Sequence, residues 1–161
     1  MLKRVLAFVA VSGLLLSNIA HAQSENGSEH HGQEHSFHSN LIGVFLGQTS
    51  KSRREGAFTL GLEYNRRITE SFGMGVLAEN VFSDHEFNVY AIGFAHYRGP
   101  WKVYVAPGIE KSEHHDAEFL LRFGVEYAFN VGSFEISPQV DVDFVDGEQV
   151  FVFGLTFGKG F

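Results

Sequence analysis

The groups able to do chemistry in this 161-residue chain are nine histidines, nineteen acids and twelve bases, with no cysteine. Four histidines, His30, His31, His35 and His38, fall in one short polar stretch, and His85 and His114-His115-Asp116 form a second set. Imidazole suits Zn, Cu or Ni, His-rich tracts bind such ions, and His31 and His35 share a face if that stretch coils into a helix. His30, His31, His35 and His38 are therefore the candidate metal ligands. The plainer reading is a solvated tail whose histidines form no designed site. A hydrolase would need a serine, a histidine and an acid brought together. His96 is the only histidine in a regular segment, beside Tyr97 and Arg98, with no serine two residues away, while His35-Ser36 and His38-Ser39 lie in the polar stretch. No catalytic residue and no cofactor is assigned. The missing cysteines exclude a disulfide scaffold, thiolate metal sites and a cysteine nucleophile, and the acid excess argues against nucleic acid as a partner.

Residues 1–22 have a basic start (Lys3, Arg4), an apolar stretch from Val5 to Leu16 and the small-residue ending Ala20-His21-Ala22. This is the pattern of a cleaved secretory signal peptide, too short in its apolar part to span a bilayer comfortably. Cleavage is expected after Ala22. Gln23 follows rather than a cysteine, so no lipid-modified thiol holds the mature chain, whose 10 bases against 19 acids give a formal charge of −9. Residues 23–39 (QSENGSEHHGQEHSFHS) contain one large apolar residue, Phe37, and cannot bury enough surface to fold alone. They are expected to be disordered.

From residue 40 to 161 the texture changes to short stretches of alternating large apolar and small or polar residues, separated by Gly, Asn, Asp, Ser and charge. Eight strands are expected, at 41–48, 57–66, 72–81, 87–97, 101–110, 118–129, 133–144 and 149–161. Compact turns are expected around Ile68-Thr69-Glu70, Arg98-Gly99-Pro100 and Asn130-Val131-Gly132. More charged connections fall at 51–55, 83–86, 111–117 and 146–148. After residue 22 no hydrophobic run exceeds four residues, so any membrane crossing must use strands.

Parity decides which face is outside. In the sixth strand Phe119, Leu121, Phe123, Val125, Tyr127 and Phe129 share one face, and Leu120, Arg122, Gly124, Glu126 and Ala128 the other. The second, seventh and eighth strands divide the same way. An eight-stranded barrel has an interior that side chains just fill, so this many large apolar groups must point outward, into lipid. A closed barrel is the β architecture that satisfies every backbone group there. Eight strands of about 9 to 11 residues with seven short connections need roughly 120 residues, and residues 40–161 provide 122. The expected fold is all-β, an eight-stranded antiparallel up-and-down transmembrane barrel. Its soluble alternative is a lipocalin-like cup carrying a lipophile, whose glycine-rich parity would have to face water. Parity sends Glu63, Glu79, Glu110, Glu126, Glu135, Asp141 and Asp143 into the lumen against Lys102 and Arg122. Such a set forms either a network plugging the barrel or a narrow cation path.

These features together resemble the small eight-stranded outer-membrane β-barrels of Gram-negative bacteria, of the OmpA transmembrane-domain and OmpX type. The resemblance covers residues 40–161 and includes the ending Phe153-Gly154-Leu155-Thr156-Phe157-Gly158-Lys159-Gly160-Phe161. It implies that Phe161, with Phe157, Leu155 and Phe153, is the signal read by the barrel assembly machinery. It also implies a monomer with a periplasmic N-terminal segment, compact turns on the periplasmic side and charged connections outside. There Lys51, Arg53 and Arg54 could meet lipopolysaccharide phosphates. Three features depart from the pattern: Lys159 places a cation on the outer face, and Pro107 and Pro138 lack an N–H for the ladder. The function implied is a structural or interaction role without catalysis. Divalent-metal binding or narrow ion conduction is the alternative, with a lipid A-modifying enzyme or the soluble carrier behind it, since the fold is a scaffold with many uses.

Overall fold

Side chains that alternate between large apolar and small or ionic make a segment most stable when extended, with each face against its own medium. The computed structural model describes residues 39–51, 56–83, 86–112 and 116–161. In it the alternating segments become β1 (Asn40–Lys51), β2 (Ala57–Arg67), β3 (Phe72–Phe82), β4 (Phe87–Arg98), β5 (Trp101–Ser112), β6 (Glu118–Tyr127), β7 (Phe129–Val131), β8 (Phe134–Val145) and β9 (Glu148–Gly160). Each pairs antiparallel with its sequence neighbour, β9 returns to β1, and β6 and β7 both pair with β8. β6 and β7 are one stave interrupted at Ala128, so the sheet is a closed eight-stave meander. Among the described residues no helix is long and apolar enough to cross a membrane.

Register fixes the barrel's shape. From Asn40 the pairing runs through Arg66, Met74, Phe94, Val105, Phe123, Val142 and Phe151 and returns to β1 at Ser50, ten residues along from its start. A stagger of ten over eight staves tilts the strands by about 40°, given a rise of ~3.3 Å per residue and ~4.8 Å between strands. The chain's end closes the ring: Asn40 donates to the Phe161 carbonyl (3.2 Å) and the Phe161 N–H donates back to Asn40 (2.9 Å).

Most strand ends fall one to three residues from the sequence expectation, and three of these differences have a plain physical cause. β1 runs on past Gln48, because Ser50 and Lys51 pair with Phe151 and Val150, and Thr49, polar but buried, shares a 2.7 Å hydrogen bond with Thr59. The turn expected around Asn130-Val131-Gly132 is tighter: Val131 pairs with Phe134, leaving Gly132-Ser133, with Gly132 at φ 65°. The seventh strand accordingly runs from Phe134 to Val145, and the opposite rim turns on Asp146-Gly147 with both residues at positive φ, the pattern of a type I′ hairpin.

Both prolines are accommodated without slippage. The β4–β5 ladder is interrupted between Ala91↔Gly108 and Phe94↔Val105, and Pro107 lies in that gap. Pro138 pairs with Leu155 on one side and lies opposite the Tyr127-Ala128 break on the other, where the Ala128 N–H turns to the Pro100 carbonyl (2.8 Å). Each ladder resumes in the same register beyond the gap.

Among the described residues every stave of the outer wall carries exposed large hydrophobic side chains, among them Leu62, Phe94, Phe119, Phe134 and Leu155. Aromatics stand toward both rims: at the compact turns Trp101 packs on Tyr127 (4.8 Å between centroids), Tyr127 on Phe129 (4.7 Å) and Phe72 on His96 (4.9 Å), and toward the charged connections Phe58 packs on Phe82 (5.7 Å). Such a belt is where amphipathic rings sit at a lipid–water boundary. The soluble cup requires the opposite polarity and is excluded by this wall.

Candidate functional site

Among the described residues, the barrel interior gathers ionisable groups from distant parts of the chain. Inward positions on β3, β6 and β8 bring Glu79, Arg122 and Asp143 together. Arg122 donates two hydrogen bonds to Glu79 (2.6 and 2.7 Å) and two to Asp143 (2.7 and 2.9 Å), and Asp141 Oδ2 stands 4.0 Å from the same guanidinium. Arg122 is 1% exposed. Only a planar fork of donors serves two carboxylates bidentately, which is why an arginine stands here.

Below it, toward the compact turns, the Tyr104 hydroxyl donates to Asp141 (2.7 Å), Gln139 donates to the other Asp141 oxygen (3.3 Å), and Thr156 donates to Gln139 (3.3 Å). Lys102 then meets Glu126 at 2.7 Å with its ammonium 5.1 Å from the Tyr104 ring centre, and Ser137 donates to Glu135 (3.0 Å). Glu63 Oε1 and Asn65 Nδ2 have no protein partner. They border, with Lys102 and Tyr104, a space of about 20 Å³, enough for one water molecule.

Glycine makes the room. A Cβ on Gly124 would collide with Asp141 Oδ1 and the Tyr104 ring, and Phe45, buried in the lumen, lies against Gly47, Gly61 and Gly154. Toward the other rim the ionic layer is capped by an apolar one of Val81, Phe87, Val89, Leu120 and Val145. Stacked layers of paired charge and hydrocarbon fill the interior.

The nine lumen residues read from parity all lie on inward positions. Glu79, Lys102, Arg122, Glu126, Asp141 and Asp143 are buried, and Glu63, Glu110 and Glu135 half-buried. The structure joins Arg122 with Glu79 and Asp143 and joins Lys102 with Glu126. Glu110 lies nearer the charged connections. Tyr104 and Phe45 also point into the lumen, although aromatic residues elsewhere form the wall. Their positions two residues from Lys102 and Gly43 are the signal that finds them.

His30, His31, His35 and His38 lie outside the described residues, as do the expected signal peptide, residues 23–38, Arg53, Arg54, His85, His114 and His115. Among the described residues no group of three or more His, Asp or Glu is placed to hold a metal ion. His96 points outward onto Phe72. Phe153, Leu155, Phe157 and Phe161 are exposed on the outer wall, and the Lys159 ammonium lies 5.9 Å from the centre of the Phe134 ring, a snorkelling position.

No protein-family model and no curated protein matches the chain. Solved structures do. Ail, the attachment invasion locus protein of Yersinia pestis, superposes with a TM-score of 0.51 at 16% identity over 76% of this chain and 97% of its own. Neisserial surface protein A gives 0.53 at 11% over 76% and 96%. The N-terminal β-barrel domain of Pseudomonas aeruginosa OprF gives 0.54 at 14% over 78% and 100%. The likeness spans nearly the whole of each barrel and rests on backbone geometry, not shared residues. The chain therefore has the fold of the small eight-stranded outer-membrane β-barrels.

Proposed function

We propose that this chain is a monomeric outer-membrane barrel of Gram-negative type, with its N-terminal segment in the periplasm and a structural or interaction role rather than a catalytic or pore-forming one. The observation that carries the reading is the contrast between wall and lumen. The wall presents large apolar groups all round, which only lipid can cover. The lumen holds Arg122 clamped between Glu79 and Asp143 beneath an apolar cap. A continuous ion path would have to break those four charge-assisted bonds and cross the cap, so conduction is disfavoured. Catalysis finds no support in the strands, where His96 is engaged with Phe72. In this reading Phe161, Phe157, Leu155 and Phe153 serve recognition by the assembly machinery, and Lys51, Arg53 and Arg54 meet lipopolysaccharide outside.

Migration of the refolded chain on SDS gels with and without boiling, beside far-ultraviolet circular dichroism, tests the barrel. A faster unboiled band with a β spectrum is expected. Planar-bilayer recording of the same sample is expected to show no steps above the bare membrane. Discrete cation-selective steps would replace this reading with the conducting one.

A further inference from the structure

The two rims of the barrel differ in charge. Toward the compact turns the outer face exposes Arg66 at the end of β2, Arg98 at the end of β4 and Lys159 near the end of β9. Glu70, in the β2–β3 turn, is the one exposed acid of that rim among the described residues. The opposite rim exposes Glu86, Asp116, Glu118, Asp146 and Glu148 against Lys111. The rest of those connections, residues 51–55, 84–85 and 113–115, are balanced in sequence, three bases to three acids. Among the described residues no carboxylate lies within ion-pair distance of Arg66, Arg98 or Lys159, whereas Arg122 and Lys102 in the lumen are both engaged.

Register brings the three cations to one level. With staves tilted by about 40°, one residue along a stave is ~2.5 Å of height and one step to the next stave ~3 Å. Followed through the ladders, Arg66, Arg98 and Lys159 lie within about 4 Å of one another along the barrel axis, level with Phe72 and Trp101. Phe58, Phe82 and Phe119 stand roughly 23 Å higher, close to the ~25 Å apolar band of outer-membrane barrels. The cations are therefore at the edge of the hydrocarbon, where headgroup phosphates lie and long basic side chains reach them. Around the barrel they are spread out: by the register, Arg66 is ~12 Å from Lys159 and ~16 Å from Arg98 between Cα positions. That spacing gives each cation its own phosphate.

We propose that this rim selects anionic phospholipid of the phosphatidylglycerol class in the leaflet that the compact turns face. Arg66, Arg98 and Lys159 each meet one headgroup phosphate, and the neighbouring rings cover the first carbons of the chains. The proposal rests on the membrane reading above. A zwitterionic headgroup carries its own ammonium beside the phosphate, so three unpaired cations are neutralised only by lipids with net negative charge. Their separation matches lipids with one phosphate each.

Trp101, the chain's single tryptophan, is exposed on the wall at this level and pairs with Arg98, so its fluorescence reports the lipids at this rim. The full mature chain, refolded into phosphatidylcholine vesicles and checked for its unboiled fast band, would be titrated with phosphatidylglycerol brominated near the headgroup end of its chains. A parallel titration uses phosphatidylcholine brominated at the same carbons. At low salt, quenching is expected to show at least a threefold preference for phosphatidylglycerol, and the preference is expected to vanish at about 0.5 M NaCl, where these charges are screened. The variant R66Q/R98Q/K159Q is expected to lose it at low salt. The single variants, R98Q most of all, are expected to lose part of it, and they carry the test if the triple variant does not close its barrel. K111Q, at the opposite rim, is expected to keep it. A wild-type preference below threefold, one that survives salt or the loss of the three cations, or one that K111Q also abolishes, overturns the proposal. A wild-type chain that forms no heat-modifiable barrel overturns the membrane reading itself, a result distinct from a folded barrel without lipid preference.

Discussion

Replacing Arg122 with methionine tests the logic of the lumen most directly. Methionine keeps much of the aliphatic volume and removes the guanidinium, so four hydrogen bonds of 2.6 to 2.9 Å disappear and Glu79 and Asp143 are left facing each other and Asp141. The gross loss, at about 1.5–3 kcal/mol for each bond to a charged group, overstates the effect, because the arginine was itself desolvated. Removing one partner of a buried ionic cluster costs about 3–5 kcal/mol, most of it the stranded carboxylates. Equilibrium urea unfolding in lipid vesicles measures this, with the chain's single tryptophan, Trp101, at the compact-turn rim as the fluorescent reporter. The triple variant R122M/E79M/D143L removes charge and counter-charge together and is expected to recover more than half of the lost stability. An R122M barrel within about 1 kcal/mol of wild type at unchanged m would refute the account. It would mean that water reaches the carboxylates and that the lumen is not the closed stack described here.

Other substitutions probe separate parts of the reasoning. Tyr104→Phe leaves Asp141 Oδ1 without its 2.7 Å donor and is expected to cost about 1–3 kcal/mol in the same assay. Gly124→Val, which drives a side chain into Tyr104 and Asp141, is expected to cost about as much through overpacking. Val125→Arg, on the outer wall near the middle of its stave, is expected to destabilise by about 2–4 kcal/mol in vesicles and far less in detergent micelles, where a long cation finds water. Deleting Phe161 is expected to cut the amount of chain reaching the outer membrane in cells while the purified variant still refolds in detergent. Equal loss in both settings would make Phe161 a closure residue, through its two bonds to Asn40, rather than an assembly signal.

Fold class, wall polarity and stave number are legible in the sequence because the strand period is two and the two media differ so much. One residue of slippage would put Phe119, Phe123 and Val125 inside and Arg122 and Glu126 in lipid, which no local preference could offset. The same reasoning finds the inward charges of β2, β6 and β8 from parity alone. Strand ends are less legible. Thr49, Ser50 and Lys51 look like loop, since only the partner strand shows that Thr49 meets Thr59 and that Val150 and Phe151 are there to pair.

Tertiary structure decided which charges meet. Arg122 and Glu79 are forty-three residues apart and on staves separated by two others, and a stagger of ten sets them level across the lumen. No periodicity within a strand encodes that stagger, because it is a property of the closed ring, the sum of eight registers. Local alternation chooses the face of each residue, and only closure of the barrel chooses its neighbours.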